Sequence, residues 1–147
     1  MSVRQSVRVG VGPDAAFDLF TTGIARWWPL HQGYSYGGDR AAGINLEPRL
    51  GGRFYERFVD GDELQVGEVI ACDRPRRIVF TWQAPGWAGL TEVEVTFTGD
   101  DHGTEVSVEH RGWERLGPEG PEHEAGFNRG WPTVLATYAA AAPRLRG

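Results

Sequence analysis

The sequence predicts an α+β fold in which one antiparallel sheet curls around a long C-terminal helix, with two short helices between its first two strands. Three features predict it. Residues 44–111 alternate apolar and polar positions between turn signals, residues 121–142 repeat apolar positions every three or four, and a helical stretch interrupts the strand pattern once, after residue 9. One domain spans residues 1–147, long enough for one substantial core.

Each element has its own signal. Residues 3–9 set Val3, Gln5, Val7 and Val9 against Arg4, Ser6 and Arg8, a strand pattern. Gly12-Pro13-Asp14 starts a helix, because proline at the first turn gives up an N–H that has no helical partner there. Ala16, Phe17, Leu19 and Phe20 supply its apolar face, and residues 24–28 form a second helical turn stopped by Pro29. Residues 30–43, rich in glycine and tyrosine, show no period and read as a long loop. Strands follow at 44–49, 53–59, 64–71, 77–83, 91–98 and 104–111, separated by Gly/Asp and Pro turns in a meander. In the last segment Phe127, Trp131, Leu135, Tyr138 and Ala142 make one apolar stripe, and Pro132 predicts a kink near Asn128. A helix of that length spans roughly 30 Å, enough to cross the strands. A sheet gripping one helix is expected to leave a cavity between them.

Composition narrows the function. Hydrophobic residues make up 40% and charged ones 24%, with no apolar run long enough for a bilayer and no apolar N-terminal signal, so no membrane association and a cytoplasmic location are expected. The net charge of −5, without a basic block, argues against nucleic acid. Cys72 is the single cysteine and lysine is absent, which removes internal disulfides, thiolate zinc cages, Schiff bases and the phosphate-loop lysine. His31, His102, His110 and His123 have no metal-ligand spacing, so neither a metal nor another cofactor is expected. The 17 aromatic residues, six of them tryptophan, are the positive hint.

Period-two phase says which residues face the concave side. Ile78, Phe80 and Trp82 share one row, Val93, Val95 and Phe97 the next, and Val106, Val108 and His110 a third. Leu64, Val66 and Ile70 place Glu68 inward, while Phe54 and Phe58 favour an inward Glu56. Closing the hairpins pairs Phe58 with Leu64, Ile70 with Ile78, Trp82 with Val93 and Phe97 with Val106. Ionisable groups on an apolar face call for a hydrogen-bonded or hydrated site. Either could equally be structural, Glu68 as an arginine's partner and His110 as a strand end reaching solvent. Glu56 and His110 fall at opposite ends of one rung, roughly 19 Å apart on a flat sheet, and so form no ready acid/base pair. Trp27 and Trp28 fit plain core or a cavity mouth.

Two literal motifs fail on context. Gly33-Tyr34-Ser35-Tyr36-Gly37 matches a hydrolase nucleophile elbow but lacks the preceding strand and following helix. Gly10-Val11-Gly12-Pro13-Asp14-Ala15 matches a dinucleotide fingerprint, yet a meander follows instead of βαβ units.

Pro13-Asp14-Ala15-Ala16-Phe17-Asp18-Leu19-Phe20, Trp27-Trp28-Pro29, the segment from Glu47-Pro48-Arg49 through Gly51-Gly52-Arg53-Phe54-Tyr55-Glu56, Gly67-Glu68-Val69, the run from Pro75-Arg76-Arg77 to Trp82, Gly103-Thr104-Glu105-Val106, His110-Arg111-Gly112-Trp113 and Gly130-Trp131-Pro132 occur in a characteristic order. That order resembles the START/birch-pollen-allergen-like helix-grip superfamily (SRPBCC), in the branch of homologues of the activator of the heat-shock-protein-90 ATPase. The resemblance covers nearly the whole chain and departs mainly in the glycine-tyrosine loop, which is expected to border the cavity. It implies a pocket for a hydrophobic or amphipathic small molecule, in a superfamily of carriers, enzymes and the co-chaperone.

The first expectation is therefore a small-molecule binding module. Trp28, Phe54, Phe80, Trp82, Val95 and Phe97 from the sheet side, with Phe127, Trp131 and Tyr138 from the helix, would line its cavity, and Glu56, Glu68 and His110 would orient a polar end. An enzyme of cyclase, hydrolase or dehydratase type in the same cavity is the alternative, with His110 or Glu68 as acid or base. Chaperone binding is a third alternative and is not expected, because the eukaryotic relative relies on a second domain outside these residues. A homodimer stays open.

Overall fold

The computed structural model describes residues 2–142. Seven strands form one antiparallel sheet in the order β1-β7-β6-β5-β4-β3-β2. They are β1 (Ser2–Val9), β2 (Ala41–Leu46), β3 (Arg53–Phe58), β4 (Glu63–Asp73), β5 (Arg77–Trp82), β6 (Thr91–Asp100) and β7 (Gly103–Arg111). Between β1 and β2 lie α1 (Pro13–Phe20) and 3-10 turns at Ile24–Arg26 and Gly38–Arg40. After β7, 3-10 turns over Trp113–Glu119, broken at Gly117 with φ +68°, lead into α2 (Gly120–Ala141), one helix that runs through Pro132. No described helix is long and apolar enough to cross a membrane. The long loop is shorter than expected, since β2 begins at Ala41 and ends at Leu46.

Side-chain alternation reads through β5, β6 and β7 without a bulge, although Val79 on the outward row of β5 is buried too. Their inward rows are buried, and Phe97 pairs with Val106, Val95 with Val108 and Val93 with His110. The outward rows carry ion pairs instead, with Arg111 joining Glu92, Glu94 and Glu109 and Arg77 joining Glu94. That solvated face leaves the concave side for the core.

β4 departs from the expected phase. Phe54 pairs with Gly67 and Tyr55 with Gln65, so Val66 is an extra residue; a second irregularity falls at Ile70, between Val69 and Ala71. A one-residue bulge moves every later side chain to the other face. Val69 is therefore buried, Ile70 is 41% exposed, and Glu68 is exposed on the outer face opposite Arg53. Glu68 is no cavity residue. The hairpin pairs also differ from the expected ones, because the turns close at other residues, with Glu56 opposite Leu64, Cys72 opposite Ile78 and Phe80 opposite Val93. Gly67 makes the bulge feasible, because a Cβ there would meet the Thr81 carbonyl oxygen. Val69→Ala should cost about 2 kcal/mol and Ile70→Ala under about 0.5 kcal/mol in urea unfolding, whereas the unbulged register inverts that order.

The centre of the concave face is filled. Phe17 and Phe20 from α1, Trp27 and Tyr138 meet the sheet, with ring centroids 5.3 Å apart for Phe17–Phe97, 5.2 Å for Phe20–Tyr138 and 5.0 Å for Trp27–Tyr138. Phe54 and Phe80 meet at a tilt alongside, with centroids 5.1 Å apart. Rings expected to border an internal hollow thus pack against the aromatic residues of α1 and the turn after it.

Candidate functional site

The open space lies to one side of that core. A cleft of about 350 Å³ runs between residues 33–36, Trp28, Trp82 and the face of α2 that carries Glu122, Gly126, Phe127, Arg129, Gly130 and Trp131. Its volume is within the range of small-molecule sites. Trp28, Trp82, Phe127 and Trp131 make an apolar floor, with Trp82–Phe127 at 5.3 Å and Trp28–Trp131 at 6.3 Å between ring centroids. Gly126 and Gly130 keep the helix side open, since each contributes no side chain to a wall one turn apart.

Residues 33–36 form the opposite wall and are tied down at three points. The Trp28 indole donates to the Tyr34 carbonyl at 2.7 Å, and the Trp82 indole to the Tyr36 hydroxyl at 2.8 Å. Glu56, only 2% exposed, accepts from the Tyr36 N–H at 2.7 Å and from the Gly37 N–H at 3.3 Å. A buried carboxylate is expensive without donors, and the loop backbone supplies two. Tyr36 is exposed along one edge while its hydroxyl sits against Trp82, so burial, with the Glu56 charge adding to it against the Trp82 bond, pushes its pKa up to about 12. The phenol stays protonated, and with its oxygen accepting from Trp82 its own proton is available to the cleft.

His110 lies behind the floor, fully buried. The Trp131 indole donates to Nδ1 at 3.2 Å, and an indole nitrogen can only donate, so Nδ1 is unprotonated. Nε2 then carries the proton and donates to Thr91 Oγ1 at 2.7 Å, and Thr91 donates on to the Trp82 carbonyl at 3.0 Å. Burial among Trp82, Trp113, Phe127 and Trp131 pushes the His110 pKa down to about 3. It is neither a solvent-facing strand end nor placed for proton transfer; it aligns Trp82 and Trp131, two floor residues.

Of the residues expected to line a cavity, Trp28, Trp82, Phe127 and Trp131 border the cleft. Phe54, Phe80, Val95, Phe97 and Tyr138 are core. Trp27 is core as well, donating to the Leu19 carbonyl, while Trp28 is at the mouth. Glu56 acts through the loop, and Trp82 and Tyr36 connect it to His110 across the sheet. The glycine-tyrosine loop borders the cleft as expected, through residues 33–36, but Tyr34 and Tyr36 were not singled out, and Glu122, His123 and Arg129 were not anticipated. Ser35 accepts from the Gly38 N–H at 3.2 Å in an exposed turn, without the geometry of a nucleophile elbow. Among the described residues, no three His, Cys, Asp or Glu side chains converge as metal ligands.

A sheet curled on a C-terminal helix, with a cleft beside it, defines a helix-grip domain of the SRPBCC type. The chain belongs to the family of Activator of Hsp90 ATPase homolog 1-like proteins, whose model matches residues 11–141. It is similar over 95% of both chains to an anthrahydroquino-gamma-pyrone synthase, Txn09, at 30% identity and a TM-score of 0.65. It also shares its fold with MLL2253 from Mesorhizobium loti (20% identity, 95% of each chain, TM-score 0.70). The solution structure of BH1534 from Bacillus halodurans is alike as well (18% identity, 97% of each chain, TM-score 0.68). No curated protein matches the chain.

Proposed function

We propose that this chain binds a small amphipathic molecule with a planar aromatic body in the cleft between residues 33–36 and α2. The observation that carries the reading is the floor of Trp28, Trp82, Phe127 and Trp131, with the Tyr36 hydroxyl held at Trp82 and the exposed Glu122 and Arg129 at the rim. Apolar rings with a few placed polar groups suit a ligand with one flat face and one polar end. The similarity to a synthase whose name denotes a fused aromatic product supports the same ligand class.

The test fills the cleft without harming the fold. A Cβ at Gly126 meets only Arg129 Nη2, at 3.9 Å, so Gly126→Leu has room in the helix and gains roughly 0.5–1 kcal/mol of helix propensity. Titrated with a hydroxyanthraquinone, the natural sequence should show saturable quenching of tryptophan emission. Gly126→Leu should lose at least about tenfold in affinity while its unfolding midpoint holds or rises. Equal affinity in both proteins places the ligand elsewhere.

A second reading, an enzyme acting in the same cleft, is favoured by the 30% identity to Txn09. On that reading Tyr36, whose hydroxyl proton has no acceptor among the described residues, is the donor, and His110 is not. Recovery of the bound aromatic chemically unchanged after prolonged incubation sets this reading aside. The chaperone in the family's name enters neither reading.

A further inference from the structure

The floor of the cleft sets the body of the ligand, and its mouth sets the charge. Ten of the described arginines each meet a carboxylate within 4.0 Å. Among the described residues, Arg26, Arg57 and Arg129 form no such pair, and of these Arg129 borders the cleft. In a chain of net charge −5 rich in available carboxylates, a guanidinium without one at the edge of an aromatic cleft is an anion-binding group in waiting.

Two further groups favour the same reading. The Tyr36 hydroxyl accepts from Trp82 and has no acceptor for its own proton among the described residues, so a second donor faces the same space. Glu122 precedes Arg129 by seven residues on α2, about 10 Å along the axis, and repels an anion from the other end of the mouth. The Tyr34 ring, 3.3 Å from where a Gly130 Cβ would stand, closes the wall next to Arg129.

Resting on the binding function proposed above, we infer that the ligand's polar end is an anionic oxygen group, a carboxylate or an acidic phenol, held by the Arg129 guanidinium with the Tyr36 hydroxyl. The aromatic body lies on Trp82 and Trp131, and the charged end points toward solvent at Arg129. Charge-assisted hydrogen bonds from a planar guanidinium outweigh neutral ones, which makes the anion the preferred form.

Calorimetric titration at pH 8 with naphthalene-2-carboxylate, its uncharged carboxamide and the cationic naphthalen-2-ylmethylamine tests this. The carboxylate should bind about tenfold tighter than the carboxamide, and the amine weakest. In Arg129→Gln the carboxylate-to-carboxamide ratio should fall below about twofold, in Tyr36→Phe to an intermediate value, and Arg129→Lys should keep part of it. Equal affinity for carboxylate and carboxamide, tighter binding of the amine, or an unchanged ratio in Arg129→Gln overturns the inference while leaving a ligand-binding cleft in place. Failure of all three probes to bind overturns both.

Discussion

His110→Ala is expected to destabilise the fold by about 3–5 kcal/mol, more than any single change at the cleft surface. The substitution removes a ring packed against Trp82, Trp113, Phe127 and Trp131. It also strands the Trp131 indole N–H and takes from the Thr91 hydroxyl the donor it now accepts from, leaving only its bond to the Trp82 carbonyl. An unpaired buried donor adds its own desolvation to the lost packing. His110→Gln, which can still reach Thr91, should recover part of the loss in urea unfolding.

The same residue predicts a pH dependence. Burial holds the folded pKa near 3, while the unfolded chain's imidazole titrates at its ordinary 6.5. Between these values the unfolded state binds the extra proton, so stability falls as pH falls below 6.5 and the loss is complete near 3. From pH 6.5 to 5 this amounts to about 1.5 kcal/mol, above the range where most carboxylates titrate. Unfolding free energies across that window should fall by that much more in the natural sequence than in His110→Gln. Parallel profiles would show that the imidazole is not buried in its neutral form.

The second large effect concerns Glu56. Glu56→Ala removes the acceptor for the Tyr36 and Gly37 N–H groups and empties a buried position beside Ile44 and Leu64. The expected penalty is about 2–3 kcal/mol, limited because the freed loop can turn its donors to water. The functional loss should be larger. With its central tie gone, residues 33–36 no longer form a fixed wall, and binding should weaken by tenfold or more. Hydrogen exchange at the Tyr36 and Gly37 amides should pass from protected to fast, while β6 and β7 amides stay protected. Glu56→Gln, which keeps one acceptor oxygen but turns an N–H₂ toward the second donor, should fall between the two.

These residues also show where sequence reasoning reaches and where it stops. The rows Ile78-Phe80-Trp82, Val93-Val95-Phe97 and Val106-Val108-His110 were legible because no bulge interrupts them, so period two carries through each hairpin. Glu68 and Ile70 were misplaced because β4 carries two irregularities; Gly67, a glycine inside a strand, was the available signal. The aromatic stripe was read correctly as inward facing, but period says nothing of what fills the space. Phe17, Phe20 and Trp27 fill the centre of the sheet and displace the opening to the side. Tyr34 and Tyr36 were not singled out because an aperiodic loop carries no phase to read, and Arg129 was missed because it lies off the apolar stripe of α2. Glu56 could have pointed to the loop, since an inward carboxylate needs donors and the glycine-tyrosine segment has free backbone N–H groups.

The central claim is that the tryptophan-floored cleft beside α2 is the binding site. A crystal structure of the protein soaked with naphthalene-2-carboxylate tests it most directly. The account predicts density for the ring system on Trp82 and Trp131, with the carboxylate turned to Arg129. A ring system lodged elsewhere, or a cleft closed by the Tyr34 and Trp28 side chains with no room for the ligand, would contradict it.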